Sequence, residues 1–487
     1  MVDYVPEEKL MYSKEIQTET IALAVESEQN YSPKSLTPIS EIKPDHFALE
    51  VVESNTAPEI SEEQKIELIL SDEFVQFFDR SAKIMERALN EDYDYLIDYT
   101  AAVGKTDTFE TKDMRLFRTF AHERWTKNRS VTDIDWSTRY PELILGSYNK
   151  NSANISESDG LILVWNYHLA ERPEFILHAQ SEIMTAKFSP FHPSLIVGGT
   201  YSGHISIWDT RAKNTPILST SLSSPGHSHP VYSICIVGTQ NAHNLITSST
   251  DGVVCSWQLD LLANPQELTE LVVPPSFSRT DEVSVTTLNF QKSDTTTYWI
   301  GSESGKVYQA NRFDRAGSKA GIDSSIIYEG HQSSITGMDF HPSASAEFSN
   351  LFLTSSVDWS VKLWKSQASK SGQLTSIQPL KSFEEADDYI TDVSWSPTHP
   401  AMFASVDGSG HLDLYNLNHS DVPISRQTAP NMRGFNKVKW DRSGKYISTA
   451  SLDGTIYIYD VQQLSEPKPE DTLRFSQVLR DYEREIF

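Results

Sequence analysis

Seven short segments with an aromatic residue at the centre recur along the last three quarters of the chain. They are 164–166 (Val-Trp-Asn), 207–209 (Ile-Trp-Asp), 256–258 (Ser-Trp-Gln), 307–309 (Val-Tyr-Gln), 363–365 (Leu-Trp-Lys), 414–416 (Leu-Tyr-Asn) and 458–460 (Ile-Tyr-Asp). Their aromatic residues are separated by 43, 49, 51, 56, 51 and 44 residues. A period of roughly 40–45 residues that ends in a Trp-Asp-like pair is typical of a small sheet repeated around a ring. The longer steps require loop insertions.

This period predicts an all-β fold, a seven-bladed WD-repeat β-propeller over residues 115–465. The candidate inner strands alternate apolar with small or polar residues, and they are Val131–Trp136, Ile183–Phe188, Val231–Ile236, Val285–Phe290, Ile335–Phe340, Ile390–Trp395 and Asn436–Trp440. We expect part of Leu116–Trp125 to pair as the outer strand of the last blade, because an unclosed ring would expose a strand edge. Residues 261–280 and 366–380 are expected to be loop insertions.

Residue pairs that end in glycine precede most of the aromatic segments. These pairs predict tight hairpin turns, because glycine tolerates a positive φ. They are Asp159-Gly160, Ser202-Gly203, Asp251-Gly252, Ser304-Gly305, Ser409-Gly410 and Asp453-Gly454. The fifth blade has Asp358-Trp359 instead, and it therefore departs from the pattern of the other six.

Negative charge is concentrated before the repeats. The 487 residues have a formal net charge of −26; residues 1–115 carry 26 acidic and 11 basic side chains, a balance of −15, which leaves −11 for the rest. Residues 1–60 mix Ser, Thr, Pro and Glu with scattered apolar residues, which predicts a disordered acidic tail. Such a chain should repel nucleic acid and anionic lipid, and no apolar run approaches the roughly 20 residues of a membrane span.

The two cysteines, Cys235 and Cys255, fall in one predicted blade. We interpret them as reduced, buried and structural, as in a cytosolic protein. The first residues have neither the basic nor the apolar region of a secretory signal. The sequence therefore predicts a cytoplasmic protein.

Residues 61–90 predict an amphipathic helical segment, in which Ser71 and Asp72 start a second helix after a short break. Apolar residues at spacings of three and four lie on one helical face: Ile66, Ile69, Leu70, Phe74, Phe77, Phe78, Ile84, Met85, Ala88 and Leu89. This face packs either on the chain's own propeller or against another protein. We favour the second interpretation, because acidic flanks and a linker at 91–114 separate the segment from the blades.

The last segment, 466–487, predicts a C-terminal helix. Its apolar residues recur at helical spacing, and they are Leu473, Phe475, Val478, Leu479 and Tyr482. Because these residues form one face, we expect the helix to fold back on the propeller.

Several runs of the sequence are not demanded by propeller geometry. Among them are His122–Trp125, Phe191–Pro193, Gly198–Gly203, Val237–Leu245, Gly317–Gly321 and Trp395–Ala401. In these runs the chain resembles the cytoplasmic dynein intermediate chains. Phe77–Asp79 and Glu86–Leu89 extend the resemblance into the predicted helix before the propeller.

This resemblance implies a non-catalytic scaffold subunit of a motor complex that moves towards microtubule minus ends. In the family the propeller binds a dynein heavy chain, and the tail carries light-chain dimers that hold two copies of the chain side by side. The implied location is the cytoplasm, on the microtubule cytoskeleton. No cofactor is implied, and the sequence does not identify the residues that contact the heavy chain.

The resemblance also assigns three light-chain sites. Lys14, Glu15, Ile16, Gln17 and Thr18 resemble the strand that adds to the sheet edge of the small hub-type light chain. The usual motif has Thr in place of Ile16; the β-branched Ile still suits a strand. The Tctex-type light chain is assigned to Val2, Tyr4, Val5, Leu10, Met11 and Tyr12. The roadblock-type light chain is assigned to Ile66, Ile69, Leu70, Phe74, Phe77, Phe78, Ile84, Met85 and Leu89.

One departure concerns regulators. The family usually begins with a long charged helix that recruits dynactin, whereas this sequence starts just before the light-chain sites. Either the product is shortened, the start is misassigned, or the contact with dynactin is lost or moved.

Two other function classes compete with this one. A stand-alone WD-repeat adaptor, such as a substrate receptor for ubiquitin ligation, would also use a propeller and a helix. A propeller enzyme needs polar residues that converge on the central channel or a face, and the sequence does not reveal them.

Gly104-Lys105-Thr106 lacks the earlier glycine of a phosphate-binding loop. His227, His229 and His331 are interpreted as blade-start histidines rather than metal ligands.

Overall fold

The computed structural model describes residue 69, residues 71–90 and most of residues 114–486. Within the last span it does not describe residues 155, 222, 273–282, 293, 314–320, 344, 346 and 368–374. The chain divides into two compact units, Met1–Ser71 and Asp72–Phe487. The second unit contains every strand and helix described below.

Seven sheets, numbered blades 1 to 7 in chain order, form a propeller and confirm the predicted fold; each has four antiparallel strands, and a fifth, parallel strand is added to blade 4. Blade 1 contains β2 (Val131–Trp136), β3 (Leu143–Tyr148), β4 (Gly160–Asn166) and β5 (Phe175–Ala179). Blade 2 contains β6 (Ile183–Phe188), β7 (Leu195–Thr200), β8 (Ile205–Asp209) and β9 (Leu218–Ser219). Blade 3 contains β10 (Val231–Thr239), β11 (Ala242–Ser249), β12 (Val253–Trp257) and β13 (Glu267–Glu270).

The remaining blades repeat this pattern. Blade 4 contains β14 (Val285–Phe290), β15 (Thr297–Ser302), β16 (Val307–Asn311) and β17 (Gly321–Tyr328). Blade 5 contains β18 (Ile335–Phe340), β19 (Leu351–Ser356), β20 (Val361–Lys365) and β22 (Lys381–Phe383). Blade 6 contains β23 (Ile390–Trp395), β24 (Met402–Asp407), β25 (His411–Asn416) and β26 (Ser425–Thr428). Blade 7 contains β27 (Phe435–Trp440), β28 (Tyr446–Ser451), β29 (Ile456–Asp460) and β1 (Arg115–Phe120).

The ring is closed by β1, which precedes blade 1 in sequence but pairs in blade 7. Arg115 lies opposite Asp460 and Phe120 lies opposite Ile456 in an antiparallel ladder. Phe120 is fully buried, and its ring stacks on Trp165 of blade 1 with centroids 5.3 Å apart. The outer strand expected for the last blade is therefore confirmed.

Each inner strand has the same β-bulge. The ladder register shifts after the first residue of all seven inner strands, and a bulge re-aims the side chain next to it. At the second position three threonine hydroxyls donate to a carbonyl of the next blade at 2.7 Å: Thr132 to Ile183, Thr336 to Ile390 and Thr391 to Phe435. Asn436 Nδ2 donates to the carbonyl of Val131 at 2.7 Å across the closure. The bulges thus position bonds between blades.

Both predicted insertions contain strands, so their assignment as loops was wrong. Residues 261–280 include β13, which forms the outer strand of blade 3. Residues 366–380 include β21 (Thr375–Ile377), which pairs in parallel with β17 of blade 4. The strand that completes blade 5 follows this segment and pairs with β20. The outer strands are short and polar, which hid them in the sequence.

The glycine turns are confirmed in five blades. Gly203, Gly252, Gly305, Gly410 and Gly454 all have φ between +75° and +89°. Gly160 is different, because it is the first residue of β4 and does not have a positive φ. A Cβ atom there would overlap the carbonyl oxygen of Ser181, so close backbone approach requires this glycine.

Two helices follow the last blade, the short α2 (Gln462–Ser465) and α3 (Asp471–Ile486). Phe475, Leu479 and Tyr482 of α3 are buried in the core that blades 5 and 6 share. Phe475 packs against Phe348 with ring centroids 5.1 Å apart. The expected helix that folds back on the propeller is confirmed. No helix in the described part of the chain is both long enough and apolar enough to cross a membrane.

Candidate interaction surfaces

Before the propeller lies helix α1 (Asp72–Asn90), which begins at the predicted second helix start. Asp72 and Glu73 occupy its first turn, where negative charge interacts favourably with the helix dipole. Lys83 Nζ and Asp79 Oδ2 form an i,i+4 ion pair at 3.1 Å. Local interactions therefore favour the helix.

The apolar face of α1, by which we mean Phe74, Phe77, Phe78, Ile84 and Met85, is open to solvent. Phe77, Phe78, Ile84 and Met85 are 67, 62, 62 and 63% exposed. Phe74 is also exposed and stacks on Phe78 with ring centroids 6.3 Å apart. An amphipathic helix normally buries such a stripe, so this face has the character of a docking surface.

The charged side of α1 lies near blade 6 and α3. Burial would raise the pKa of Asp421, but a hydrogen bond from the Tyr482 hydroxyl and the charge of Lys381 outweigh burial and lower it. The positive charge of Lys83 on α1 acts in the same direction. The helix therefore approaches the propeller through a charged residue, and its aromatic residues stay exposed.

The structure describes only part of the three predicted light-chain sites. The hub-type residues 14–18 and the Tctex-type residues 2–12 lie outside the described residues. Of the roadblock-type residues, Ile66, Leu70 and the side chain of Leu89 also lie outside them. Ile69 and the apolar face of α1 are described, and all six side chains are exposed.

His331 joins strands within blade 5. Its Nε2 atom lies 2.7 Å from Thr354 Oγ1, which also accepts a hydrogen bond from Trp364 Nε1 at 2.7 Å. Its Nδ1 atom lies 2.9 Å from Asp358 Oδ2. Burial lowers the pKa of His331 in spite of this carboxylate. His331 is therefore a blade-start histidine, as predicted.

Blade 3 repeats the network with His227, which contacts Thr247 Oγ1 at 2.7 Å, while Trp257 Nε1 donates to the same oxygen at 3.0 Å. His229 was wrongly grouped with these histidines. It is exposed, and its Nδ1 atom lies 3.5 Å from Thr250 Oγ1 in the adjacent turn.

The inner strands carry charged side chains that sequence reasoning missed. They are Asp133, Asp135, Lys187, Asp339, Asp392, Lys437 and Lys439, from blades 1, 2, 5, 6 and 7. Lys187 Nζ lies 3.3 Å from Asp133 Oδ2, and Lys437 Nζ lies 3.5 Å from Asp392 Oδ1. The sequence contained a sign of this group, because a charged residue recurs at the third or fifth position of the inner strand in several blades.

The carboxylates of this group hold neighbouring blades together. Asp135 accepts from the amide of Phe188 at 2.9 Å, and Asp339 accepts from the amide of Trp395 at 2.9 Å. Burial raises the pKa of Asp339. For Asp133, burial is the largest single cause and acts in the same direction, but Lys187, Lys437, Lys439 and a hydrogen bond from Thr185 together outweigh it and lower the pKa. These buried charges therefore act as structural contacts between neighbouring blades.

Cys235 on β10 and Cys255 on β12 are both free thiols, as predicted. Cys255 is buried and Cys235 is half-buried. Burial raises the pKa of Cys235 to about 11 and that of Cys255 to about 12. Both therefore remain protonated and unreactive at pH 7.

Comparison with known proteins agrees with this architecture. A family model described as the dynein axonemal intermediate chain 3 WD40 domain matches residues 112–248. The WD domain, G-beta repeat model matches residues 323–365 and 430–460. The chain is 43% identical over 429 residues to the cytoplasmic dynein 1 intermediate chain of Drosophila melanogaster, an alignment that covers 86% of this chain. It spans 62% of that relative's length. The comparisons confirm the resemblance seen in the sequence: the chain is a WD-repeat propeller protein similar to the cytoplasmic dynein intermediate chains.

Proposed function

We propose that this chain is an intermediate chain of a cytoplasmic dynein complex, a non-catalytic scaffold for minus-end-directed transport along microtubules. Its propeller binds the dynein heavy chain. Its tail carries the hub-type, Tctex-type and roadblock-type light chains, whose dimers bring a second copy of the chain alongside. The proposed location is the cytoplasm, on microtubules. The similarity to the Drosophila cytoplasmic dynein 1 intermediate chain supports membership of a cytoplasmic dynein complex, and the heavy-chain and light-chain assignments follow from the resemblance of the sequence to that family.

One observation carries the proposal for the tail. Among the described residues, two amphipathic helices lie outside the blades, α1 and α3, and of these two α3 buries its apolar residues in the propeller. Phe77 and Phe78 of α1 remain exposed. Burying one such aromatic side chain contributes roughly 1.5–3 kcal/mol, so a partner that covers this face gains substantial binding free energy. The roadblock-type light chain is the proposed partner.

Co-purification of the tagged full chain tests the proposal. The unaltered chain should recover a heavy chain and all three kinds of light chain. The double variant Phe77→Asp, Phe78→Asp should lose the roadblock-type light chain and keep the heavy chain, because charge is introduced only on α1. Leu473→Asp is the matched control, since Leu473 is an exposed apolar residue of α3.

Recovery of the roadblock-type light chain with the double variant would contradict the assignment of α1. Recovery of neither a heavy chain nor any light chain with the unaltered chain would refute the whole proposal. If the chain is monomeric and recovers ubiquitin-ligase components, the stand-alone adaptor is favoured instead.

A further inference from the structure

The turn between β19 and β20 of blade 5 contains an unusual residue. The corresponding turns of blades 2, 3, 4, 6 and 7 have glycine with a positive φ, whereas blade 5 has Trp359 with a φ of 66°. A left-handed backbone is unfavourable for a bulky side chain. The indole is 51% exposed, so it does not offset that strain by filling the core. Strain of this kind is concentrated at functional sites.

Met432 shows the same combination of strain and exposure. It lies in the connection from blade 6 to blade 7, with a φ of 48°, and is 80% exposed. The described residues include three non-glycine residues with a positive φ, and the third is Asn128, just before β2. All three lie at the end of the ring where the inner strands begin. The second and third strands meet at the same end.

Further exposed apolar residues lie at the same end of the ring as Trp359 and Met432. We call Val357, Trp359, Tyr389, Met432 and Leu452 the Trp359 patch, and all five are exposed. A Cβ atom on Gly408 would overlap the Tyr389 ring. One on Gly434 would overlap the carbonyl oxygen of Gly408 and lie 3.1 Å from Leu452 Cδ1. Tyr389 of blade 6 and Leu452 of blade 7 are therefore linked through these two glycines, and all five residues lie at the same end of blades 5, 6 and 7.

Carboxylates border the patch. The connection from blade 5 to blade 6 contains Glu384, Glu385, Asp387 and Asp388 immediately before Tyr389, and the first three are exposed. Arg426 Nη1 pairs with Asp387 at 2.6 Å. Asp388 accepts from Ser409 Oγ at 2.9 Å. Arg426 thus offsets the charge of Asp387, and the exposed Glu384 and Glu385 supply the negative charge next to Tyr389.

We propose that the Trp359 patch binds a protein segment that carries large apolar side chains flanked by lysine or arginine. An apolar centre with an acidic border complements such a segment, because the apolar side chains bury against Trp359 while the cations face Glu384 and Glu385. Arginine and lysine can also lie over an indole face. This surface is separate from the apolar face of α1, and its assignment does not depend on the proposed function.

The variant Trp359→Gly separates binding from folding. Glycine relieves the strained φ, so the melting temperature should rise by about 1–3 °C. An amphipathic Lys–Leu peptide is the probe, compared with a Glu–Leu peptide and a Lys–Ser peptide by calorimetry on the full chain. The unaltered chain should prefer the Lys–Leu peptide. Trp359→Gly should weaken that binding by about tenfold or more. The acidic tail attracts both lysine peptides alike, so their difference in affinity reports the apolar contact.

Leu261→Gly is the control variant, because Leu261 is exposed and follows the end of the third strand of blade 3, at the opposite end of the ring. It should leave peptide binding unchanged. Equal affinity of Trp359→Gly and the unaltered chain for the Lys–Leu peptide would overturn the proposal. A variant that loses both binding and thermal stability would also overturn it, because Trp359 would then belong to the folded core.

Discussion

At the scale of single residues, blade 5 depends on one threonine hydroxyl. Thr354 is fully buried on β19, where its hydroxyl accepts a hydrogen bond from the indole N–H of Trp364 and shares another with Nε2 of His331. The sequence alone does not reveal this role, because threonine is common in β-strands for its β propensity alone. Its role is set by two partners that are distant along the chain and meet only in the folded blade.

Thr354→Val should lower the free energy of unfolding by about 2–4 kcal/mol, because valine has a similar shape but leaves two buried polar groups without their partner. Chemical denaturation followed by circular dichroism measures this. Thr295→Val is the control, because Thr295 is exposed, and it should stay within about 0.5 kcal/mol. Equal midpoints for the two variants would show that the network contributes nothing.

Sequence predicted the aromatic residue of every blade and the role of His331, because these positions repeat with the period. The inner-strand charges were not predicted. Asp133 and Lys187 alternate with apolar residues, and that pattern is the one expected for side chains that face water. Only the packing of neighbouring blades brings them together, since Asp133 lies in blade 1 and Lys187 in blade 2.

At the scale of elements, α1 and α3 show what periodicity predicts and what it leaves open. Apolar residues at spacings of three and four predict both helices. The pattern predicts that each helix has an apolar face, but it does not predict which surface covers that face. Leu473 was included in the predicted apolar face, but it lies two residues before Phe475, which places it on nearly the opposite side of the helix, and it is exposed. The short strands β13 and β21 were not predicted for a related reason. They are strands because they pair with β12 and β17, and the sequence does not show these pairings.

Phe475→Ala should destabilise the contact between α3 and blades 5 and 6 by about 3–5 kcal/mol, because it leaves a cavity among Phe348 and Trp395. Leu473→Ala on the same helix should change the free energy by less than about 0.5 kcal/mol. Amide hydrogen exchange along 471–486 reads out both variants. Similar protection of the two would indicate that α3 is not held by its buried face.

At the scale of the whole molecule, the ring is closed by strands from the beginning and the end of the propeller sequence. β1 completes blade 7, and Asn436 and Trp136 bond across the same boundary, the latter through its Nε1 to Ser448 Oγ at 2.9 Å. The sequence predicted this closure because a propeller with an unpaired edge would aggregate. The exact start of β1, at Arg115, required the structure.

Two truncations test the closure. A chain that starts at residue 114 retains β1 and should melt close to the full chain. A chain that starts at residue 121 lacks β1, which exposes the edge of β29 and uncovers Trp165. Its melting temperature should fall by about 5 °C or more. Scanning calorimetry with light scattering measures both effects. Coincident melting curves would mean that blade 7 is stable with three strands.

The position of β1 also determines when the protein can be completed during synthesis. Its partner β29 begins at Ile456, 336 residues after Phe120. At roughly 5–20 residues per second, the ribosome needs about 20–70 s to make that stretch. Throughout that time β1 has no strand to pair with, although it carries Leu116, Phe117 and Phe120. Nascent chains are therefore expected to engage chaperones at β1 until blade 7 emerges.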